Sequence, residues 1–383
     1  MFLIFFANLP HQAVMKYILL LGLMVGARTL PAQQVGLSDA ELTTLKSWLS
    51  VPGADSGLQN LYAAQKRLAG QALSEAPHPI DTIRSEGLLQ GDPLKTATQD
   101  ALKDMGKMYA LALLYKLTDN TAYLVQLDRY LNAWAETDKP RGDPIDDTNL
   151  DPVIEAFDMV KANLPPDEQK AVREWLRATA TTEITAVYNR PNRATSCNNW
   201  HSHRLKIIGE IGFAIGDSAL EGYAVRGLET QIGRNLRPDG SSEDFALRDA
   251  LHYQVYDLEP LLQLAIVIKR ATGTDYYSWA SPSGSSIQHS VAWTLPYITG
   301  EKTHAEFVNS TVEFDRRRAQ NGEAAYKAGT LFDPKNGVRT LLLAAYFDPS
   351  LLATATKVAG TEDRFPADLL FIIYTARPGE RHS

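Results

Sequence analysis

Apolar residues recur along most of this chain at three- and four-residue spacing, the period of helices with one buried face. Met108, Leu111, Ala112, Tyr115 and Leu117 form one such stripe. The spacing predicts helices over 39–49, 58–69, 93–117, 121–136, 152–162, 166–189, 199–215, 219–236 and 252–271. Turn chemistry separates them, at Asp119-Asn120, Pro140-Arg141-Gly142, Pro165-Pro166, Gly216-Asp217 and Pro238-Asp239-Gly240. A Ser/Gly loop is expected over 281–290, and beyond it the period is less regular. Helices of this length joined by short breaks pair antiparallel. The expected fold is therefore all-α: an α/α toroid, or incomplete α/α barrel, with an irregular helical array as the alternative. With no strict repeat or linker visible, residues 33–383 are expected to form a single domain.

The N-terminus reads differently. Met15-Lys16 is followed by an apolar run from Tyr17 to Val25, then small residues up to Ala27 and Leu30-Pro31-Ala32. That is the pattern of a secretory signal peptide cleaved after Ala27 or Ala32, so residues 1–32 are set apart as a signal with a possible upstream extension. The true start is Met1 or Met15. The apolar run is well short of the ~20 residues that span a bilayer. An exported protein with a single cysteine, Cys197, has no intrachain disulfide. This points to a bacterial periplasm or outer surface.

The formal net charge of −7 argues against a nucleic-acid partner. It does not exclude a polyanionic ligand, because Arg190, Arg193, Arg204, Arg237 and Arg248 gather near the motifs and Arg316-Arg317-Arg318 forms a second cluster. Local potential in a cleft matters more than the total.

Two dense runs carry the candidate chemistry. The first, Cys197-Asn198-Asn199-Trp200-His201-Ser202-His203-Arg204, opens a predicted helix. Helical spacing places Asn199 and His203 on one face and turns His201 elsewhere. The bland reading makes the asparagine a cap and the histidines buried hydrogen-bonding groups. The second run is Arg248-Asp249-Ala250-Leu251-His252-Tyr253-Gln254-Val255-Tyr256. Beside Arg248 and His252, Tyr253 becomes a proton carrier, because a nearby cation lowers the cost of its phenolate; alone it would read as a core aromatic. An amide, an imidazole, a phenol and an arginine suit removal of a proton α to a carboxylate, once the carboxylate charge is neutralised. A third stretch, from Thr303 to Arg318, is either a carboxylate-binding subsite or a solvated charge run. Residues 142–149 are expected to form an acidic loop at the mouth of the barrel. Zinc has no matching ligand spacing, so no metal or cofactor is expected.

The stretch 250–261 resembles that around the catalytic tyrosine of the toroidal alginate lyase superfamily, and Asn198-Asn199 followed by histidine resembles its Asn-Asn-His motif. The form Asn-Asn-Trp-x-Ser-His-Arg is most similar to polysaccharide lyase family 38, whose activities include cleavage of polymannuronate and glucuronan. The resemblance spans about 80–349. It implies Tyr253 as proton donor, His203 or His201 as the second catalytic group, and Asn199 as a carboxylate contact. Trp200 and further residues separate Asn199 from the histidines, and Arg248 stands at a different distance from the tyrosine than in better-known alginate lyases. The expected catalytic set is thus Tyr253, His203, Asn199 and Arg248, with Asn198, Trp200, His201, Arg204, His252 and Tyr256 binding an acidic polysaccharide. The rival readings are an inverting glycoside hydrolase using carboxylates such as Glu243, Asp244 or Asp147 about 6.5–9.5 Å apart, and a non-catalytic glycan-binding protein.

Overall fold

A computed structural model describes residues 35–51 and 56–360; the export pattern of residues 1–32 lies outside them. Among the described residues there is no named strand, and the only β-type pairings are isolated bridges joining Leu236 to Ser242 and Ala305 to Leu331. Helices follow one another in order: α1 (Asp39–Leu49), α2 (Ser56–Ser74), α3 (Pro93–Ala101), α4 (Lys103–Thr118), α5 (Thr121–Thr137), α6 (Pro144–Asp147), α7 (Asp151–Val160), α8 (Pro166–Thr185), α9 (Asn199–Ile215), α10 (Ser218–Asn235), α11 (Glu243–Arg248), α12 (Leu251–Thr272), α13 (Ile287–Ile298), α14 (Glu313–Gln320), α15 (Val338–Ala344) and α16 (Leu351–Ala359). These form the α/α toroid, and the described residues fall within one compact unit.

Helix α9 is the hub. It packs against α7, α8, α10 and α12, and from Ser202 to Ile215 every residue is buried. Its ends are encoded locally. Asn198 Oδ1 accepts from the Trp200 amide at 3.1 Å, and Gly216 closes the helix in the left-handed region at φ 68°. Gly209 lies where α9 meets both neighbours. A methyl there would overlap Leu264 of α12 and stand 3.1 Å from Ala224 of α10. A glycine here leaves that space to the Leu264 side chain, which packs directly over the α9 backbone.

Helix α12 carries the second motif and is anchored from a distance. Its N-cap, Ala250, offers no side-chain bond, so the Glu306 carboxylate accepts from the Leu251 and His252 amides at 2.7 and 3.0 Å instead. An anion at this end is favoured by the helix dipole. Pro260, inside α12, cannot donate to the Tyr256 carbonyl as a residue one turn on normally does.

The helix expected over 93–117 divides at Leu102, and that over 166–189 ends as α8 at Thr185, with a 3-10 turn following at Val187–Asn189. The segment expected to be an acidic loop instead folds into α6 and a 3-10 turn at Thr148–Leu150, burying Asp146 and Asp147. No described helix is long and apolar enough to cross a membrane.

Candidate active site

The two motifs meet where α9 and α12 pack together. The His203 ring lies 4.5 Å, centroid to centroid, from that of Tyr256, and Tyr256 lies 6.5 Å from both Tyr253 and His252. The structure thus brings His203, Tyr253, Tyr256 and His252 into one aromatic cluster.

Tyr253 is the most elaborately held of these. Its phenol oxygen accepts from Arg318 Nη1 at 3.0 Å and can donate to Asp315 Oδ1 at 3.4 Å. The Arg248 guanidinium lies 3.9 Å over the ring face while its Nη1 binds Asp315 at 2.5 Å. Burial pushes the phenol well above its ordinary value, while Arg248 and, less strongly, Arg318 pull it down. The neutral phenol results, next to two cations that make its anion accessible.

His203 is only 5% exposed. Its Nδ1 pairs with the Thr148 hydroxyl at 3.0 Å, and its Nε2 is buried with no protein partner. Burial, and then the Lys206 charge, hold its pKa well below the usual value, so the ring is neutral; a backbone interaction with Tyr256 acts weakly the other way. Asn199, on the same face one turn earlier, is fastened to Asp244, which accepts from its amide N–H at 2.7 Å and from its side-chain Nδ2 at 2.5 Å. Burial raises Asp244 to about 6, against the pull of Arg248.

The other expected binding residues separate. Asn198 caps α9. Trp200 is partly exposed and meets Tyr188 edge-on at 5.3 Å. His201 is partly buried, off the Asn199–His203 face, with its pKa lowered to about 3 by burial and by Arg204. His252 sits among Tyr253, Tyr256 and Tyr326. Arg204 departs from expectation as a substrate-binding group. It is 0% exposed and its Nε bonds Glu183, itself 0% exposed, at 2.9 Å, so its charge is already matched inside the protein. Cys197 is half-buried, with Sγ 3.4 Å from the Ala194 carbonyl.

Sequence reasoning passed over Thr148, Lys206, Asp315 and Arg318 as individual groups. The Arg316-Arg317-Arg318 run is neither wholly a subsite nor wholly solvated. Arg316 is 50% exposed on Glu313, whereas Arg318 is 11% exposed on the Tyr253 phenol and near Glu86. Helical spacing held the signal, since Asp315 and Arg318 are three apart on α14 and share a face. The carboxylates available to a hydrolase are otherwise engaged: Glu243 with Arg237 at 2.7 Å, Asp244 with Asn199, and Asp147 with Glu183. Among the described residues no group of three or more His, Cys, Asp or Glu is arranged to hold a metal ion.

The alginate lyase family model matches residues 51–304. This chain belongs to the alginate lyase family. It is a polysaccharide lyase acting on uronate polymers. No curated protein matches the sequence. Solved structures carry the fold. An alginate lyase from Bacteroides ovatus aligns with a TM-score of 0.66 at 17% identity, covering 90% of this chain and all of that one. Alginate lyase A1-III from Sphingomonas species A1 aligns at 0.53 and 18% identity, over 72% of this chain and 80% of that one. A variant of A1-III complexed with a tetrasaccharide aligns at 0.55 and 17% identity, over 80% and 86%.

Proposed function

We propose that Tyr253 carries both proton transfers of a syn β-elimination, while His203 and Asn199, with Arg248, hold the uronate carboxylate. The observation that carries this is the phenol oxygen bonded to Arg318, with the Arg248 guanidinium over the same ring. In the step, the minor fraction of Tyr253 that has released its phenol proton to solvent takes the C5 proton, and the electron pair of the C5–H bond forms the C4=C5 double bond. The C4–O4 bond breaks, and the phenol returns its proton to the departing O4. Charge that develops on the carboxylate side is met by preorganised donors in a site shielded from water. Trp200, Asn198, His201, His252 and Tyr256 are assigned to the approach of the polymer.

One proton carrier on one face constrains the substrate. Mannuronate and glucuronate share their configuration at C4 and C5, with H5 and O4 on the same side. Guluronate, the C5 epimer, places H5 on the opposite face. Polymannuronate and glucuronan are therefore the proposed substrates, met after export of the chain through the signal pattern at Met15–Ala32.

The test is incubation with polymannuronate, glucuronan and polyguluronate, following the ultraviolet absorbance of unsaturated uronate ends. Absorbance should rise with one or both of the first two and stay near baseline with the third. Equal rates on polyguluronate would overturn the single-carrier assignment. New reducing ends without the chromophore would mean hydrolysis.

A further inference from the structure

Beneath His203 lies a line of buried polar groups that the elimination does not use directly. Lys206 and Glu210 follow His203 on the same side of α9, three and seven residues on. Lys206 Nζ donates to Thr148 Oγ1 at 2.6 Å and is ion-paired with Asp151. Burial, and next the Asp151 charge, push the Glu210 carboxyl well above the usual carboxylate range. Thr148 Oγ1 in turn meets His203 Nδ1 at 3.0 Å. Lys206, Glu210 and His203 are all at most 5% exposed.

The direction of the hydrogen bonds follows from what each group can give. An ammonium only donates, so Thr148 Oγ1 accepts from Lys206. The hydroxyl proton then needs an acceptor, and among the described residues His203 Nδ1 is the other side-chain partner of that oxygen. A ring that accepts at Nδ1 carries its proton at Nε2, the buried nitrogen that makes no well-formed hydrogen bond in the fold and feels only a weak interaction with the Tyr256 backbone. A buried donor left unmatched by the fold is costly unless function uses it.

We propose that Thr148 and Lys206 are positioning residues that fix His203 as its Nε2–H tautomer, so that a neutral imidazole serves as hydrogen-bond donor to the uronate carboxylate. This rests on the reading of His203 as a carboxylate contact. A neutral donor has a chemical advantage here. It stabilises the enolate-like charge without forming a tight ion pair with the ground-state carboxylate, so its effect falls on kcat more than on KM.

The tautomer is read directly from the imidazole nitrogen and carbon shifts of isotopically labelled full-length protein, with the His203 signals assigned by their loss in His203→Ala. The wild-type ring should show Nε2–H across pH 6–8. Thr148→Val keeps the shape but removes the hydroxyl, and should admit the Nδ1–H form. It should lower kcat at least about tenfold with KM little changed, the expected mark of a wrong tautomer. Thr148→Ser restores the hydroxyl and should recover most of both readouts. An Nδ1–H wild-type ring overturns the proposal, and this needs no variant to fold. An unchanged tautomer in Thr148→Val overturns it equally. If the tautomer shifts but turnover does not, the relay stands as a structural device and the assignment of His203 to the carboxylate falls.

Discussion

Arg204 and Arg248 each bind a nearly inaccessible carboxylate, yet they serve different ends. Arg204 and Glu183 are both 0% exposed, and their remaining contacts, with the Thr195 carbonyl and Asp147, also lie inside the protein. Arg248 is 13% exposed above a 1% exposed Asp315, and its guanidinium also covers the Tyr253 ring. The first pair contributes to the fold by setting two buried charges against each other. The second keeps a cation beside a titratable oxygen, where its field acts on whatever charge that oxygen acquires. An arginine near a motif thus says little by itself. What its partner can still do decides the role.

The sharpest way to break this comparison is Tyr253→Phe. It removes the oxygen and leaves the ring beneath Arg248, so the protein should stay folded. Turnover should fall by at least ~10²–10⁴-fold, because general acid catalysis is lost and proton abstraction with it. Near-normal turnover would show that the arginines serve something other than the phenol.

Exchanging the two arginines for alanine should separate stability from chemistry. Arg204→Ala leaves Glu183 buried without its partner and should cost about 3–5 kcal/mol in a denaturant titration. Arg248→Ala also strips a buried carboxylate of its cation, but Asp315 keeps the Ser310 hydroxyl at 3.1 Å and the Tyr253 phenol at 3.4 Å, so the denaturation midpoint should move less. The lost charge-assisted contact, worth roughly 1.5–3 kcal/mol, should cost about ten- to a hundredfold in kcat. Equal losses of stability would erase the distinction.

The histidines sharpen it further. His203→Ala should reduce kcat more than His201→Ala, since only His203 joins the tyrosine cluster and the Thr148 contact. Burial holds its pKa well below the usual value, so His203 is already neutral where a free imidazole would titrate. The rate profile should lack a limb near pH 6.5 from this ring, and kcat/KM should continue to rise on the alkaline side as the Tyr253 phenolate becomes accessible. A limb near pH 6.5 that vanishes in His203→Ala would contradict this.

The smallest effect belongs to Asp143, the cap of α6, which burial and the neighbouring Asp146 raise to about 7. A carboxyl raised in the folded state favours folding below its unfolded pKa, near 3.9, and loses that contribution as pH rises through about 7. Asp143→Asn keeps the cap without the charge. It should raise the melting temperature most at pH 8, less at pH 5 and hardly at pH 3; the opposite ordering would show Asp143 ionised in the fold.

Much of this molecule was legible where local chemistry decides structure. The bounds of α9 were readable because Asn198 and Gly216 announce both ends, and the Asn199–His203 face followed from spacing. The helices after residue 281 were not. Within α14, only Asp315 is buried, so there is no apolar stripe to find. Leu102 interrupts 93–117 without a glycine or proline to mark the break. Thr148 was invisible for another reason. It is defined by His203, 55 residues away, and nothing beside it in sequence hints at the partner. Arg204 misled because proximity to a motif does not reveal which way a long side chain turns.

Gly209 has no polar atom and touches no substrate, yet it acts as the gauge for the reaction. Where α9 meets α12 at this point, the gap a methyl would need is filled by the Leu264 side chain, whose Cδ1 a Cβ would overlap. His203 stands on one side of that gap and Tyr253 on the other. A Gly-to-Ala exchange within a helix is ordinarily a route to a stiffer, more stable protein. At position 209 the methyl would have to displace the Leu264 side chain and press on Ala224. Any part of that shift taken up by the helices would move histidine against tyrosine, where a misplacement of about 1 Å is enough to cost about a hundredfold in rate. Engineering this lyase for durability by filling its helix glycines would therefore detune the enzyme before it hardened it.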